Sequence, residues 1–110
     1  MKRTILVAGL GLIGGSLAKA IKKVETHYLI GYDLSDETLQ IALEENVIDE
    51  KANNFEKAAK RAEIIVLAAP ISETIKLLER LDSVEFDDEV IVTDVSSVKG
   101  SILEAANQLE

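Results

Sequence analysis

The chain has no cysteine, no tryptophan, one histidine and one proline in 110 residues. Without cysteine there is no disulfide, no thiolate metal site and no cysteine nucleophile, a composition that fits a reducing compartment such as the cytoplasm. One histidine excludes a histidine-rich metal centre. The acidic stretches Glu44-Glu45 and 85–89 lack the paired spacing of a carboxylate site, so they read as solvated faces and no metal is expected. No apolar run approaches the roughly 18 uninterrupted residues of a membrane-spanning helix. Basic residues are in the minority: 12 Lys and Arg against 20 Asp and Glu give a net charge of -8, which argues against nucleic acid or an anionic membrane as a partner. An anionic ligand would have to be held by local donors.

What is present is aliphatic. Apolar residues make up 47% of the chain and aromatics 4%, which suits a layered α/β domain rather than disorder. The length allows one domain or a piece of one, 1–110, and is short for an enzyme that needs two lobes. Short β-branched or aliphatic runs alternate with stretches of helical spacing, and no linker or low-complexity tract divides them. Thr4 to Ala8 has the continuous apolar character of a strand buried on both faces, as in a parallel sheet. A helix is expected from about Leu12 to Lys22, with Ile13, Leu17, Ala20 and Ile21 on its inner side, then a strand from His27 to Tyr32. Ser35 suits the N-cap of a helix running to about Glu45, with Leu39, Ala42 and Leu43 inward, and Val47-Ile48 suits a very short strand. Phe55 to Arg61 reads as a helix and Ile64 to Ala68 as a strand ended by Pro70. Ser72 or Glu73 to Leu81 is helical with Ile75, Leu78 and Leu81 inward, Val90 to Thr93 is a strand, and Val98 or Lys99 to Leu109 is the last helix. The order βαβα(β)αβαβα implies right-handed crossovers and a doubly wound, mostly parallel sheet.

The opening stretch, TILVAGLGLIGGSLAKAI behind Met1-Lys2-Arg3, has the basic head, apolar middle and Ala18-x-Ala20 tail of an export signal. Glycines at 9, 11, 14 and 15 are poor material for the helix that such signals form, and they favour a backbone that turns tightly or meets a ligand closely. Gly9-x-Gly11-x-x-Gly14 lies between an apolar strand and an amphipathic helix, the context of the dinucleotide-binding Rossmann fingerprint. There Gly9 serves the turn, Gly11 leaves room for a pyrophosphate, and Gly14 lets helix and strand pack closely. Amides at the helix start, those of Leu12 and Ile13 among them, then hold the anion with help from the helix dipole. Asp33 stands 19 residues beyond Gly14, at the end of the second strand, where a carboxylate accepts the adenosine ribose hydroxyls. It would repel a 2′-phosphate, and Leu34 and Ser35 supply no arginine to neutralise one, so NAD is expected over NADP.

Two further loops follow strand ends. In LAAPIS, Ala68 and Ala69 are small enough to pass a ribose or nicotinamide and Pro70 fixes the turn, although Pro70 and Ser72 also suit a plain helix start. In TDVSSVKG, Asp94, Ser96, Ser97 and Lys99 could meet substrate or nicotinamide, and either serine could equally be an N-cap. His27 falls at the opposite end of the sheet and is expected to be structural or solvated.

Taken together, GLGLIGGSLAKAI, GYD, ALEENVIDE, LAAPISETIKLL and TDVSSVKGSILEAA resemble the prephenate/arogenate dehydrogenases of tyrosine biosynthesis, in order and spacing across nearly the whole chain. The resemblance implies oxidative decarboxylation of prephenate to 4-hydroxyphenylpyruvate with hydride transfer to NAD. It implies that Ser97 lies beside the substrate hydroxyl and the catalytic histidine, with Ser96 departing from the family's more usual glycine. It further implies that the histidine, a sixth strand and a helical substrate and dimerisation domain lie beyond Glu110, so that the full protein is a homodimer and these residues alone bind NAD without turning over prephenate. Other functions compatible with the glycine loop are a regulatory NAD-sensing module and a hydroxyacid or imino-acid reductase.

Overall fold

The computed structural model describes residues 3–24 and 27–95. Its elements, in chain order, are β1 (Thr4–Ala8), α1 (Leu12–Val24), β2 (Tyr28–Tyr32), α2 (Asp36–Glu44), β3 (Glu50–Lys51), α3 (Phe55–Arg61), β4 (Ile64–Leu67), α4 (Ile71–Leu81) and β5 (Ile91–Asp94). The five strands form one sheet in the order β3-β2-β1-β4-β5, with every pairing parallel. The expected doubly wound α/β architecture is present. The final helix expected near 98–109 lies outside the described residues.

The unbroken apolar run of β1 is explained by its two faces. Leu6 and Ala8 point into one core with Ile30, Ile65 and Leu67, closed by Phe55, Ala58 and Ala59 of α3 and Leu77 and Leu81 of α4. Ile5 and Val7 point into the other with Leu29 and Val66, closed by Ala18 of α1 and Leu39 and Ala42 of α2. Side chains alternate along a strand, so a strand covered on both sides must be apolar at every position.

Three expectations need correction. Val47 and Ile48 are buried but form no strand, because their amides are used to end α2. Asn46 adopts a left-handed φ of 60°, its N–H donates to the Leu43 carbonyl, and the Val47 and Ile48 N–H groups both turn back to the Ala42 carbonyl. This Schellman closure leaves ladder pairing to Glu50 and Lys51. In α4, Thr74, Leu77 and Leu81 face the core, whereas Ile75 and Leu78 are 53% and 43% exposed. The helix carries two apolar stripes, and the buried one is selected by Thr74, whose hydroxyl donates to the Ala69 carbonyl at 3.0 Å. In α1 the inward alanine is Ala18 rather than Ala20, which is exposed.

Candidate functional site

The ends of four strands lie at one level. Tyr32 pairs with Ala8, Ala8 with Leu67, and Leu67 with Asp94, so these residues make one row across the sheet. The row is extended by one residue of backbone bonding: Gly9 N–H donates to the Tyr32 carbonyl at 2.7 Å, Ala68 N–H to Ala8 at 2.8 Å, and Val95 N–H to Leu67 at 2.9 Å. Every loop at this end therefore starts from a fixed height. The chain leaves β1 toward β2 through α1, while β4 packs on the other side of β1, so the strand order reverses beside Gly9, where open α/β sheets bind ligands.

Gly9 has φ of +97°, a conformation that L side chains rarely adopt, and a Cβ there would fall 2.6 Å from the Ala69 amide nitrogen. Gly14, in the first turn of α1, sits so close to the turn that a Cβ would run into the Gly9 carbonyl oxygen, with the Ala68 methyl also within 3.2 Å. Close packing of helix on strand is thus the use of Gly14, as its spacing implied. Gly11 is different. A Cβ there would meet no heavy atom within 4 Å, so the turn faces open space at the residue before α1 begins. The helix opens with Leu12, Ile13 and Gly14, whose N–H groups belong to the first turn and have no intrahelical acceptor. A bare main-chain cradle at the start of a 13-residue helix suits a diphosphate.

Asp33 joins this turn. One carboxylate oxygen accepts the Leu10 N–H at 2.8 Å and the other accepts the Ser35 N–H at 2.9 Å. Ser35 caps α2 as expected, its hydroxyl accepting the Thr38 N–H at 3.2 Å. An ionised carboxylate offers about four acceptor sites, so two are left for hydroxyl donors. Beside the turn, between α1 and α2, lies a cleft of about 270 Å³ whose lining includes Gly11, Ser16, Lys19 and Thr38.

Ala69 is buried, in contact range of Gly9, and Pro70 is exposed at the N-cap of α4 without a side-chain cap bond. Asp94 is exposed at the end of β5. The structure thus brings Gly9, Gly11, Leu12, Ile13, Gly14, Asp33, Ala69, Pro70 and Asp94 to one end of the sheet. Ser97 lies outside the described residues. His27 is at the other end, where its Nδ1 accepts the Arg3 N–H at 3.1 Å.

Sequence reasoning missed a cluster that fixes the end of β2 from the opposite face. Arg80 donates from Nε and Nη2 to the two Glu56 oxygens, both at 2.7 Å, and from Nη1 to the Tyr32 hydroxyl at 3.1 Å. Its guanidinium lies 5.1 Å from the Phe55 ring centre and 5.7 Å from that of Tyr32. The Arg80 hydrogen bonds hold the Glu56 carboxyl down to about 2, and the same bonds raise Arg80. These partners are 24 and 48 residues apart, and no local pattern announces them. Thr74 was missed too, since a threonine beside Ile75 reads as the outward residue of the pair.

A parallel doubly wound sheet, a glycine turn at its switch point and a carboxylate at the next strand end define a dinucleotide-binding α/β domain. The family described as prephenate dehydrogenase, nucleotide-binding domain, matches residues 17–110, and the chain belongs to it. It is 44% identical to a Bacillus subtilis prephenate dehydrogenase over 110 residues, covering 99% of this chain and 30% of the relative. The fold is similar to Synechocystis arogenate dehydrogenase, with a TM-score of 0.77 and 40% identity over 96% of this chain and 37% of that one. It is similar as well to Aquifex aeolicus prephenate dehydrogenase in complex with hydroxyphenyl propionate and NAD+, with a TM-score of 0.79 and 25% identity over 97% of this chain and 38% of that one. The chain spans about a third of the length of these proteins. Among the described residues no helix is long and apolar enough to cross a membrane.

Proposed function

We propose that the chain binds NAD as the cofactor portion of a cytoplasmic dehydrogenase that converts prephenate to 4-hydroxyphenylpyruvate and carbon dioxide in tyrosine biosynthesis. The observation that carries this reading is the joining of the glycine turn to Asp33 at the switch point of a sheet belonging to this family. NAD, when bound, supplies the hydride acceptor. The main chain from Gly11 to Gly14, including the Leu12 and Ile13 amides, holds the diphosphate. Asp33 accepts the adenosine ribose hydroxyls with its two remaining lone-pair sites and disfavours a 2′-phosphate. Ala69 and Pro70 wall the crevice on the β4 side and Asp94 borders it at the end of β5, while the role of Ser97, contact with the substrate hydroxyl, is what the family resemblance implies. Loss of carbon dioxide is driven by aromatisation, so the protein's task is to orient the hydroxyl-bearing carbon and remove a proton.

The remaining machinery, including the catalytic histidine and a helical dimerisation domain, belongs to a portion outside these residues. Arogenate is a second substrate reading, supported by the 40% identity to an arogenate dehydrogenase. The deciding experiment measures NADH formation from prephenate and, separately, from arogenate by a longer protein that carries this chain. Turnover of one of them, with none by the 110 residues alone, is expected. A folded longer protein that oxidises neither would refute the proposal. A sensor module would be indifferent to Ser97→Ala, whereas the enzyme loses turnover.

A further inference from the structure

We infer that Asp33 is a positioning residue for the phosphate-binding turn as well as an acceptor for the ribose, so that removing its carboxylate weakens the hold on a diphosphate that carries no ribose hydroxyls at all. The inference rests on the dinucleotide reading of this loop and adds a second duty to one of its residues. Gly9 reverses the chain with φ of +97°, and such a turn would be free to pivot unless something held the peptide that follows it. Three contacts hold it. Gly9 N–H donates to the Tyr32 carbonyl at 2.7 Å, the Leu10 N–H donates to Asp33 Oδ2 at 2.8 Å, and the Leu10 side chain is buried, 7% exposed, in the core beneath α1 and α2. Gly11 and the first turn of α1 follow directly. The direction of the amides offered to a phosphate is therefore set by the Asp33 carboxylate two residues before α1 begins.

The carboxylate is itself immobilised. Its other oxygen takes the Ser35 N–H at 2.9 Å, and Ser35 caps α2, so the group bridges the glycine turn and the start of a second helix. Among the described residues, Asp33 is held by backbone amides and by no cation. Both bonds are to a charged acceptor, the stronger kind. Asn at this position could accept one amide through its single oxygen but would set an NH2 against the other, so it fails partly, and Ala fails fully.

The test separates the two duties with two probes, ADP and 2′,3′-dideoxy-ADP, titrated calorimetrically into the 110-residue chain and into Asp33→Ala and Asp33→Asn. Amide hydrogen exchange at Leu10 is followed by NMR in each protein. Positioning predicts that Asp33→Ala weakens dideoxy-ADP by about three- to tenfold, the scale of one charge-assisted hydrogen bond only partly transmitted, and accelerates Leu10 exchange. Asn should fall between Ala and the parent. An acceptor-only role predicts weaker ADP with unchanged dideoxy-ADP and unchanged Leu10 exchange, and that outcome overturns the inference. If the parent binds neither probe, the dinucleotide reading fails, and equal Leu10 exchange in parent and variant would then sink the positioning role separately. Should Asp33→Ala not fold, Asp33→Asn carries the same comparison.

Discussion

The two ends of the β1–β2 pair use the same device to different effect. At the lower end, Glu63 accepts the Thr4 N–H at 3.0 Å and Asp49 accepts the Leu29 N–H at 2.9 Å. At the upper end, Asp33 accepts the Leu10 and Ser35 amides. The lower carboxylates are also matched by cations, Arg3 with Glu63 at 3.5 Å and Lys22 with Asp49 at 2.6 Å. Asp33 has no ion pair among the described residues. A carboxylate that already has its cation and its amide is a joint in the frame, whereas one held by amides alone keeps both its charge and spare acceptor sites for a ligand. The glycines sharpen the contrast: among the described residues the positive-φ glycine, Gly9, and the start of α1 lie at the upper end.

Substitution at the closest approach should blur the comparison most. Gly14→Ala forces a Cβ into the Gly9 carbonyl, and the expected cost is about 3 kcal/mol or more in urea unfolding, with nucleotide binding lost as well. Next in size is the packing that supports the β4 side of the crevice. Leu77→Ala should cost about 2–4 kcal/mol and Leu78→Ala less than about 1 kcal/mol, and equal losses would show the α4 face to be assigned wrongly.

The two carboxylates can then be compared directly. Asp49→Asn should lower stability by about 1 kcal/mol and leave ADP affinity alone, while Asp33→Asn should lower ADP affinity. A matching loss of ADP affinity in both variants would erase the distinction drawn between the ends. The smallest effect concerns the Glu56–Arg80 pair. Because Glu56 titrates at about 2 in the folded chain, below its usual 4.5, its stabilisation is fully present above that ordinary value and is lost as pH falls toward 2. Both side chains are about a third exposed, so the parent should exceed Glu56→Gln by less than about 1 kcal/mol at neutral pH, with the gap closing in acid. A gap that widens in acid would contradict the assigned sign.

How much of this was legible beforehand depends on how local the signal is. The glycine turn, Asp33 and the strands around them could be read because each is specified by its own few residues: a doubly covered strand must be apolar throughout, and Gly9 and Gly14 occupy places where a Cβ has no room. The inward face of α4 could not, since Ile71, Ile75 and Leu78 make as good a stripe as Thr74, Leu77 and Leu81, and the choice is made by a hydroxyl bond to Ala69. Val47-Ile48 carried strand character, but whether a strand forms depends on where the amides go, and here they end a helix. The Leu10–Asp33 bond links residues 23 apart, and Arg80 reaches Tyr32 across 48. Such joints exist only once the sheet has been ordered, so the sequence singled out Asp33 without disclosing that its carboxylate bonds the Leu10 amide.

The central claim is that main-chain amides at the start of α1, together with Asp33, hold a dinucleotide at the switch point of the sheet. Calorimetric titration of NAD+ into the folded 110-residue chain tests it most directly. The account predicts saturable binding at one site, displaced by ADP. A chain that is folded by circular dichroism yet yields no binding heat with millimolar NAD+, at two temperatures, would contradict it.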